Sequence, residues 1–88
     1  MAKKKKYNFN YDFTLDLHGK NLEDSIYELE KNIYSGKLSS IMIIHGHGEG
    51  ILRNGIRKYV SECKFVREVM YGENLNMPGT SAITIIYL

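Results

Sequence analysis

The chain has 88 residues, 43% of them hydrophobic, which suits one domain with a single core. It has no apolar run of the ~18 residues needed to cross a bilayer and no apolar signal core, so we expect a cytoplasmic protein without a membrane span. The formal net charge is +2, but four of the twelve basic residues are Lys3, Lys4, Lys5 and Lys6, and the remaining eight face ten acidic ones. The positive excess is therefore confined to a short basic arm that can attract a polyanion, with a solubilising tail as the alternative.

Residues 7–17 alternate strictly between apolar and polar side chains, a pattern that predicts a β-strand. The alternation places Asp16 and His18 on one polar face at the end of that strand. The stretch from Tyr7 to Asn10 is alternatively an ordered arm. We therefore divide the chain into an N-terminal basic and aromatic arm, residues 1–12, and a domain, residues 13–88.

Two predicted helices follow, each introduced by a recognisable start signal. Asn21, with Asp24 three residues later, predicts a helix N-cap, and Gly36 predicts the end of that helix. A second helix begins after a glycine-rich loop, and its apolar spacing includes the single cysteine, Cys63, which indicates a packing role. One cysteine and three histidines lack the spacing of a structural zinc site, so no metal-ligating residues are predicted.

Three further segments predict strands. Residues 41–44 form a continuous apolar run, typical of a strand covered on both faces. Residues 65–71 alternate less cleanly but carry Val66, Val69 and Tyr71, and residues 82–88 are rich in β-branched side chains. The resulting order, β-α-β-α-β-β, predicts an α/β fold class. We expect a mixed, mostly parallel four-stranded sheet with two helices.

The first candidate site is the pair Asp16 and His18 in Leu-Asp-Leu-His-Gly, residues 15–19. An imidazole can act as general base or acid near neutral pH, and the carboxylate can orient it, bind a metal or polarise a water. Surface residues without a role are the alternative. If the first two strands are parallel neighbours, this pair emerges beside the second site on one edge of the sheet.

The second candidate site is His-Gly-His-Gly-Glu-Gly, residues 45–50, between a strand and a helix. Alternate glycines expose backbone N-H groups where the helix dipole favours an anion such as phosphate. The spacing matches neither a Walker A loop nor a dinucleotide fingerprint, and a structural turn is the alternative. His45 and His47 can donate to phosphate, assist proton transfer, or cap and pack. The loop would thus form a cradle for a phosphate. Arg53 and Arg57 either extend this phosphate cradle or are solvated charges on the helix.

These motifs, with the closing Ala-Ile-Thr-Ile-Ile at residues 82–86, resemble the Smr (small MutS-related) domain family in order and spacing. The resemblance covers residues 13–88 and implies a two-layer β-α-β-α-β-β sandwich. It also implies DNA-nicking or RNA-cleaving endonuclease activity, in some members on messenger RNA at ribosomes. It assigns Asp16 and His18 to cleavage, and Gly46 and Gly48 to substrate binding and activity. Before the last strand the family is usually glycine-rich, whereas this chain reads Pro78-Gly79-Thr80-Ser81.

We therefore predict a nucleic-acid endonuclease, with RNA slightly favoured over DNA as partner and the ribosome as a further candidate. The predicted catalytic residues are Asp16, His18 and His45. The predicted nucleic-acid-binding residues are Gly46, His47, Gly48, Gly50, Lys20, Arg53 and Arg57. The cofactor stays open: either His18 deprotonates an RNA 2′-hydroxyl without metal, or Asp16 holds Mg²⁺ that activates water. The alternatives are a non-catalytic module that binds nucleic acid or a ribosome, and a protein-interaction domain that pairs through the aromatic first strand.

Overall fold

The computed structural model describes residues 11–48, 50–75 and 80–88. Its elements confirm the predicted order of strands and helices. They are β1 (Phe13–Asp16), α1 (Leu22–Tyr34), β2 (Ser40–Ile44), α2 (Ile51–Glu62), β3 (Glu68–Tyr71) and β4 (Ile83–Tyr87), with short 3-10 turns at Gly72–Leu75 and Thr80–Ala82 before β4. The arm up to residue 10, the aromatic pairing surface at Tyr7 and Phe9, and Pro78 and Gly79 lie outside the described residues.

The four strands form one mixed sheet in the order β1-β2-β4-β3. β1 pairs with β2 in parallel, whereas β4 pairs antiparallel with both β2 and β3. The predicted mixed four-stranded sheet with two helices is confirmed. Three strands run the same way, yet β4 inserts between β2 and β3 in the opposite direction, so two of the three neighbouring pairs are antiparallel. The described parts of the link from β3 to β4 are short 3-10 turns, whereas a parallel return would need a longer crossover connection.

Helix α1 begins and ends where its sequence signals predicted. The side chain of Asn21 accepts a hydrogen bond from the backbone N-H of Asp24 at 2.8 Å, as an N-cap residue does. At the other end the cap residue is Ser35, and Gly36 follows with a φ of 73°. That left-handed conformation is cheap for glycine and stops the helix. No helix among the described residues is long and apolar enough to span a membrane.

Both helices cover one face of the sheet and bury the main core there. Cys63 packs against this core, as its spacing predicted. The buried members are Leu17, Leu29, Ile33, Ile41, Ile43, Ile56, Val60 and Ile86. A second cluster is centred on Ile83 and Ile85, whose side chains alternate to the opposite face of β4 and pack with Met42, Ile44, Met70, Tyr11 and Tyr87. The sheet thus packs apolar side chains on both faces.

Candidate functional site

The two predicted motifs leave the sheet at the same edge. Asp16 and Ile44 are register partners at the ends of β1 and β2, and the N-H of Leu17 donates to the carbonyl of Ile44 at 2.8 Å. A Cβ atom added to Gly46 would lie 3.2 Å from the Cβ of His18. The glycine loop, which follows β2 and begins at His45, therefore passes close to His18. The predicted juxtaposition of the motifs is therefore confirmed.

Asp16 and His18 form a hydrogen-bonded pair at the end of β1. Oδ1 of Asp16 contacts Nδ1 of His18 and also accepts the backbone N-H of His18 at 3.2 Å. The side-chain and backbone hydrogen bonds from His18 lower the pKa of the Asp16 carboxyl, which is therefore ionised at neutral pH. A carboxylate only accepts, so Nδ1 carries the proton and, in the neutral imidazole, Nε2 has a free lone pair. No described residue hydrogen-bonds to Nε2, and both side chains are more than half exposed.

A cleft lies beside this pair, between the loop after β1 and the start of α2. Its volume is about 600 Å³. The loop after β1 and the first residue of α1 contribute Gly19, Lys20, Asn21 and Leu22. The segment from the end of β2 into α2 contributes His45, His47, Gly48, Gly50, Ile51, Leu52 and Arg53. Five of the predicted nucleic-acid contacts, Lys20, His47, Gly48, Gly50 and Arg53, thus surround one opening.

The cleft contains the N-terminus of α2, which has no side-chain cap. Gly50 is the N-cap residue with a φ of 90°, and no acidic side chain occupies the first turn. The positive end of the helix dipole therefore has no carboxylate of its own among the described residues, an arrangement that favours an external anion.

Two backbone N-H groups of the predicted phosphate cradle are hydrogen-bonded within the protein. The backbone N-H groups of His45 and Gly46 both donate to the carbonyl of Ala82, each at 3.0 Å, so they are not free to bind a ligand. They instead attach the glycine loop to the beginning of β4. Glycine is favoured at position 46 because φ there is a positive 79° and because the backbone lies close to His18.

His45, one of the predicted catalytic residues, is buried and belongs to a chain of hydrogen bonds. Its Nδ1 lies 2.9 Å from the carbonyl of Gly46, which only accepts, so Nδ1 carries the proton. Burial lowers the pKa of His45, which keeps the ring neutral and leaves Nε2 as an acceptor. Nε2 therefore accepts the hydroxyl proton of Thr84 at 2.8 Å. With both nitrogens engaged and only 4% of the residue exposed, His45 holds the loop in place and presents little surface to the cleft that it lines.

Arg57 completes that chain and does not line the cleft. Its Nε donates to Oγ1 of Thr84 at 2.8 Å, and its terminal nitrogens form two bonds of 2.7 and 2.6 Å to the carboxylate of Glu73. The guanidinium also lies 4.2 Å from the centre of the Tyr71 ring, and its side chain is only 11% exposed. The paired guanidinium lowers the pKa of Glu73 to about 2. The predicted nucleic-acid contact by Arg57 is thus replaced by an internal ion pair.

Three residues of this region were missed from the sequence. Thr84 is a polar residue in the apolar run of β4, and that irregularity is the signal that could have found it. Glu73 and Ser81 lie in the connection before β4 and carry no distinguishing pattern. Oγ of Ser81 lies 2.8 Å from Nε2 of His47. The two histidines of the glycine loop are therefore held from different elements, His47 by Ser81 in the connection before β4 and His45 by Thr84 within β4.

The described residues contain no group of three or more His, Cys, Asp and Glu side chains arranged to hold a metal ion. Asp16 supplies one exposed carboxylate whose Oδ1 is engaged by His18. A cation at this edge would therefore depend on Oδ2 of Asp16, on water and on oxygens of a bound substrate, as Mg²⁺ often does.

Comparisons with known proteins agree with this architecture. The profile of the Smr domain matches residues 15–88. Endonuclease MutS2 from Finegoldia magna is 42% identical over 88 residues, covering 97% of this chain and 11% of the relative. Endonuclease MutS2 from a Geobacillus strain is 35% identical over 91 residues, covering 100% of this chain and 11% of the relative. The chain thus corresponds to about a tenth of the length of these relatives.

A solved structure confirms the fold. The crystal structure of the Smr domain of Thermus thermophilus MutS2 superimposes with a TM-score of 0.75 at 24% sequence identity, covering 88% of this chain and 98% of that one. The fold, the matched residues and the similarity to the MutS2 proteins together show that this chain belongs to the Smr domain family.

Proposed function

We propose that this chain binds nucleic acid and cleaves a phosphodiester bond at Asp16 and His18, with RNA favoured over DNA. The observation that carries the proposal is the paired carboxylate and imidazole packed against the glycine loop, beside the uncapped start of α2. The name Endonuclease MutS2, borne by relatives that match nearly the whole chain, supports the same activity.

In the metal-free route His18 is the general base. Asp16 holds the proton on Nδ1, so Nε2 takes the proton of an RNA 2′-hydroxyl. The 2′-oxygen then forms a bond to phosphorus while the bond to the 5′-oxygen breaks, and the departing oxygen takes a proton from water or from the imidazolium. The products are a 2′,3′-cyclic phosphate and a 5′-hydroxyl end.

In the metal-dependent route Asp16 is a ligand instead. A Mg²⁺ ion on Oδ2 and substrate oxygens would supply an activated water, so cleavage would extend to DNA and leave no cyclic phosphate. The chemistry of the product ends therefore distinguishes the two routes.

The remaining residues bind and position the substrate. Lys20 and Arg53 attract the backbone at the two sides of the cleft, and the start of α2 receives a phosphate oxygen. His45 positions the glycine loop through the hydrogen bonds of its two ring nitrogens. The lysine-rich arm adds sequence-independent attraction, and a structured RNA on a cytoplasmic ribosome is one substrate of suitable charge.

The test is cleavage of a labelled structured RNA and of a supercoiled plasmid, with and without EDTA, followed by identification of the ends. Asp16→Asn and His18→Ala should each lose at least about 100-fold in rate while keeping their affinity. Glu62→Gln, which alters an exposed carboxylate paired with Lys58 on the far part of α2, is the matched control. RNA binding without cleavage by the wild type would identify a non-catalytic binding module instead.

A further inference from the structure

The apolar part of the cleft is not explained by phosphate binding. Ile51, the first residue of α2, is 67% exposed and is the most exposed large hydrophobic residue among those the structure describes. It lines the cleft together with Leu22 and Leu52, which pack partly against the core. A phosphate group gains nothing from an aliphatic wall, so the ligand of this cleft has an apolar portion.

The cations at the cleft are available to a ligand with a charged backbone. Lys20 lies on one side and Arg53 on the other, and neither forms an ion pair with a carboxylate in residues 11–48, 50–75 or 80–88. A Cβ atom added to Gly50 would lie 3.5 Å from Nη2 of Arg53, so that guanidinium lies over the start of α2. An apolar wall, together with two cations that have no carboxylate partner in the described part of the chain, is complementary to a base flanked by phosphates.

We infer that the cleft receives one unpaired nucleobase against Ile51, with the adjoining phosphates at Lys20 and Arg53, so the substrate is single-stranded or locally unpaired nucleic acid. The inference rests on the proposed function and specifies its substrate class. Bases of a continuous duplex are stacked on both faces and cannot reach Ile51 without being flipped out. The volume of about 600 Å³ lies within the ~300–1,000 Å³ typical of sites that enclose a small organic group.

The position of the cleft gives the bound base a consequence for cleavage. Gly19 lines the cleft and directly follows His18, and Gly46 also lies close to His18. A base held in the cleft therefore places a neighbouring phosphodiester at the edge that carries Asp16 and His18. Cleavage is expected at unpaired positions and not within helical stems.

The experiment compares binding of one 2′-O-methyl RNA sequence as a single strand and annealed to its complement, by fluorescence anisotropy. Ile51→Ser should weaken single-strand binding about fivefold and leave duplex binding within about twofold, because only the single strand offers a free base. Phe65→Ser is the matched control, since Phe65 is 51% exposed in the turn after the far end of α2. Ile51→Phe, with a larger apolar face, should retain or tighten single-strand binding.

A 2-aminopurine placed in the single strand gives a second readout, because its emission rises when the base leaves its stacked neighbours. The wild type should raise this emission and Ile51→Ser should not. Equal losses on both probes, or no change on either, would overturn the base site while wild-type binding and cleavage leave the proposed function standing. Failure of the wild type to bind either probe would overturn the proposed function itself.

Discussion

The hydroxyl of Thr84 donates to Nε2 of His45 across 2.8 Å, a bond that joins β4 to the loop following β2. Oγ1 of Thr84 also accepts from Nε of Arg57, which can only donate, and this leaves the hydroxyl proton available for His45. The carbonyl of Gly46 fixes the proton at the other side of the imidazole. One hydroxyl group therefore orients both a buried histidine and a buried arginine.

Replacing Thr84 by valine should destabilise the protein by about 1–3 kcal/mol, because two buried polar groups lose their partner while the side-chain volume is conserved. Urea unfolding followed by circular dichroism measures this loss. Thr84→Ser keeps the hydroxyl and should recover most of the stability. If serine and valine were equally destabilising, packing of the methyl group and not the hydrogen bond would explain the role of Thr84.

The pKa of His45 is lowered by burial, which predicts a pH dependence of stability. Below about pH 6.5, the ordinary pKa of a histidine, His45 binds a proton in the unfolded chain more readily than in the folded protein. The contribution of His45 to stability is therefore present above pH 6.5 and is lost as the pH falls toward the lower pKa of the folded state.

Thermal or urea unfolding at pH 7 and pH 5 should show a smaller pH-dependent loss in His45→Gln than in the wild type. His47→Gln is the matched control, because His47 is exposed and its only described hydrogen bond is to Ser81. The same pH-dependent loss in His45→Gln as in the wild type would contradict the assignment of a buried neutral imidazole.

Much of the site was predictable because its signals are local. Period-two alternation ending at Asp16, and an apolar run ending at residue 44, are sufficient to place two strand ends and the loops after them. A helix between the two strands makes them a parallel pair, which brings their carboxyl ends to one edge. The meeting of His18 with the glycine loop follows from those facts alone.

The rest depends on contacts between distant parts of the chain. His45 and Thr84 are 39 residues apart, and only the insertion of β4 beside β2 brings them together. The helical spacing of Arg57 does not determine whether its side chain contacts solvent, a phosphate or Glu73. Strand order decides among these outcomes, and hydrophobic periodicity carries no information about which strand is inserted where.

The ion pair between Arg57 and Glu73 should contribute to stability in a defined pH range. The Glu73 carboxyl has a pKa of about 2, compared with an ordinary value of 4.5. The contribution of the ion pair to stability is therefore present above about pH 4.5 and is lost as the pH falls toward 2. Because the Glu73 side chain is 42% exposed, we expect Glu73→Gln to cost only about 1 kcal/mol at pH 7.

Unfolding measured from pH 7 to pH 2.5 should show the wild type and Glu73→Gln converging at the acid end. Glu62→Gln removes a carboxylate from the exposed pair with Lys58 and should change stability by no more than about 0.5 kcal/mol. A Glu73→Gln deficit that persists unchanged at pH 2.5 would show that the charge of Glu73 is not the source of the stabilisation.

Gly46 and Gly36 provide a matched comparison of backbone strain with site geometry. Their φ angles are 79° and 73°, so alanine at either position should cost a similar ~1–2 kcal/mol from the left-handed conformation. Only at Gly46 does the added Cβ meet another residue, at 3.2 Å from the Cβ of His18, whereas nothing lies within 4 Å at Gly36. Gly46→Ala must therefore displace His18 or the loop by a few tenths of an ångström.

Under the proposed function, Gly46→Ala should reduce the rate of RNA cleavage by at least about tenfold, because a small displacement of a reacting group is costly. Gly36→Ala should cleave at the wild-type rate once both variants are assayed well below their melting temperatures. Single-turnover cleavage of one RNA by the two variants and the wild type measures this difference. Equal rates for Gly46→Ala and Gly36→Ala would separate the glycine loop from the reacting pair, and the contact between Gly46 and His18 would then have no part in cleavage.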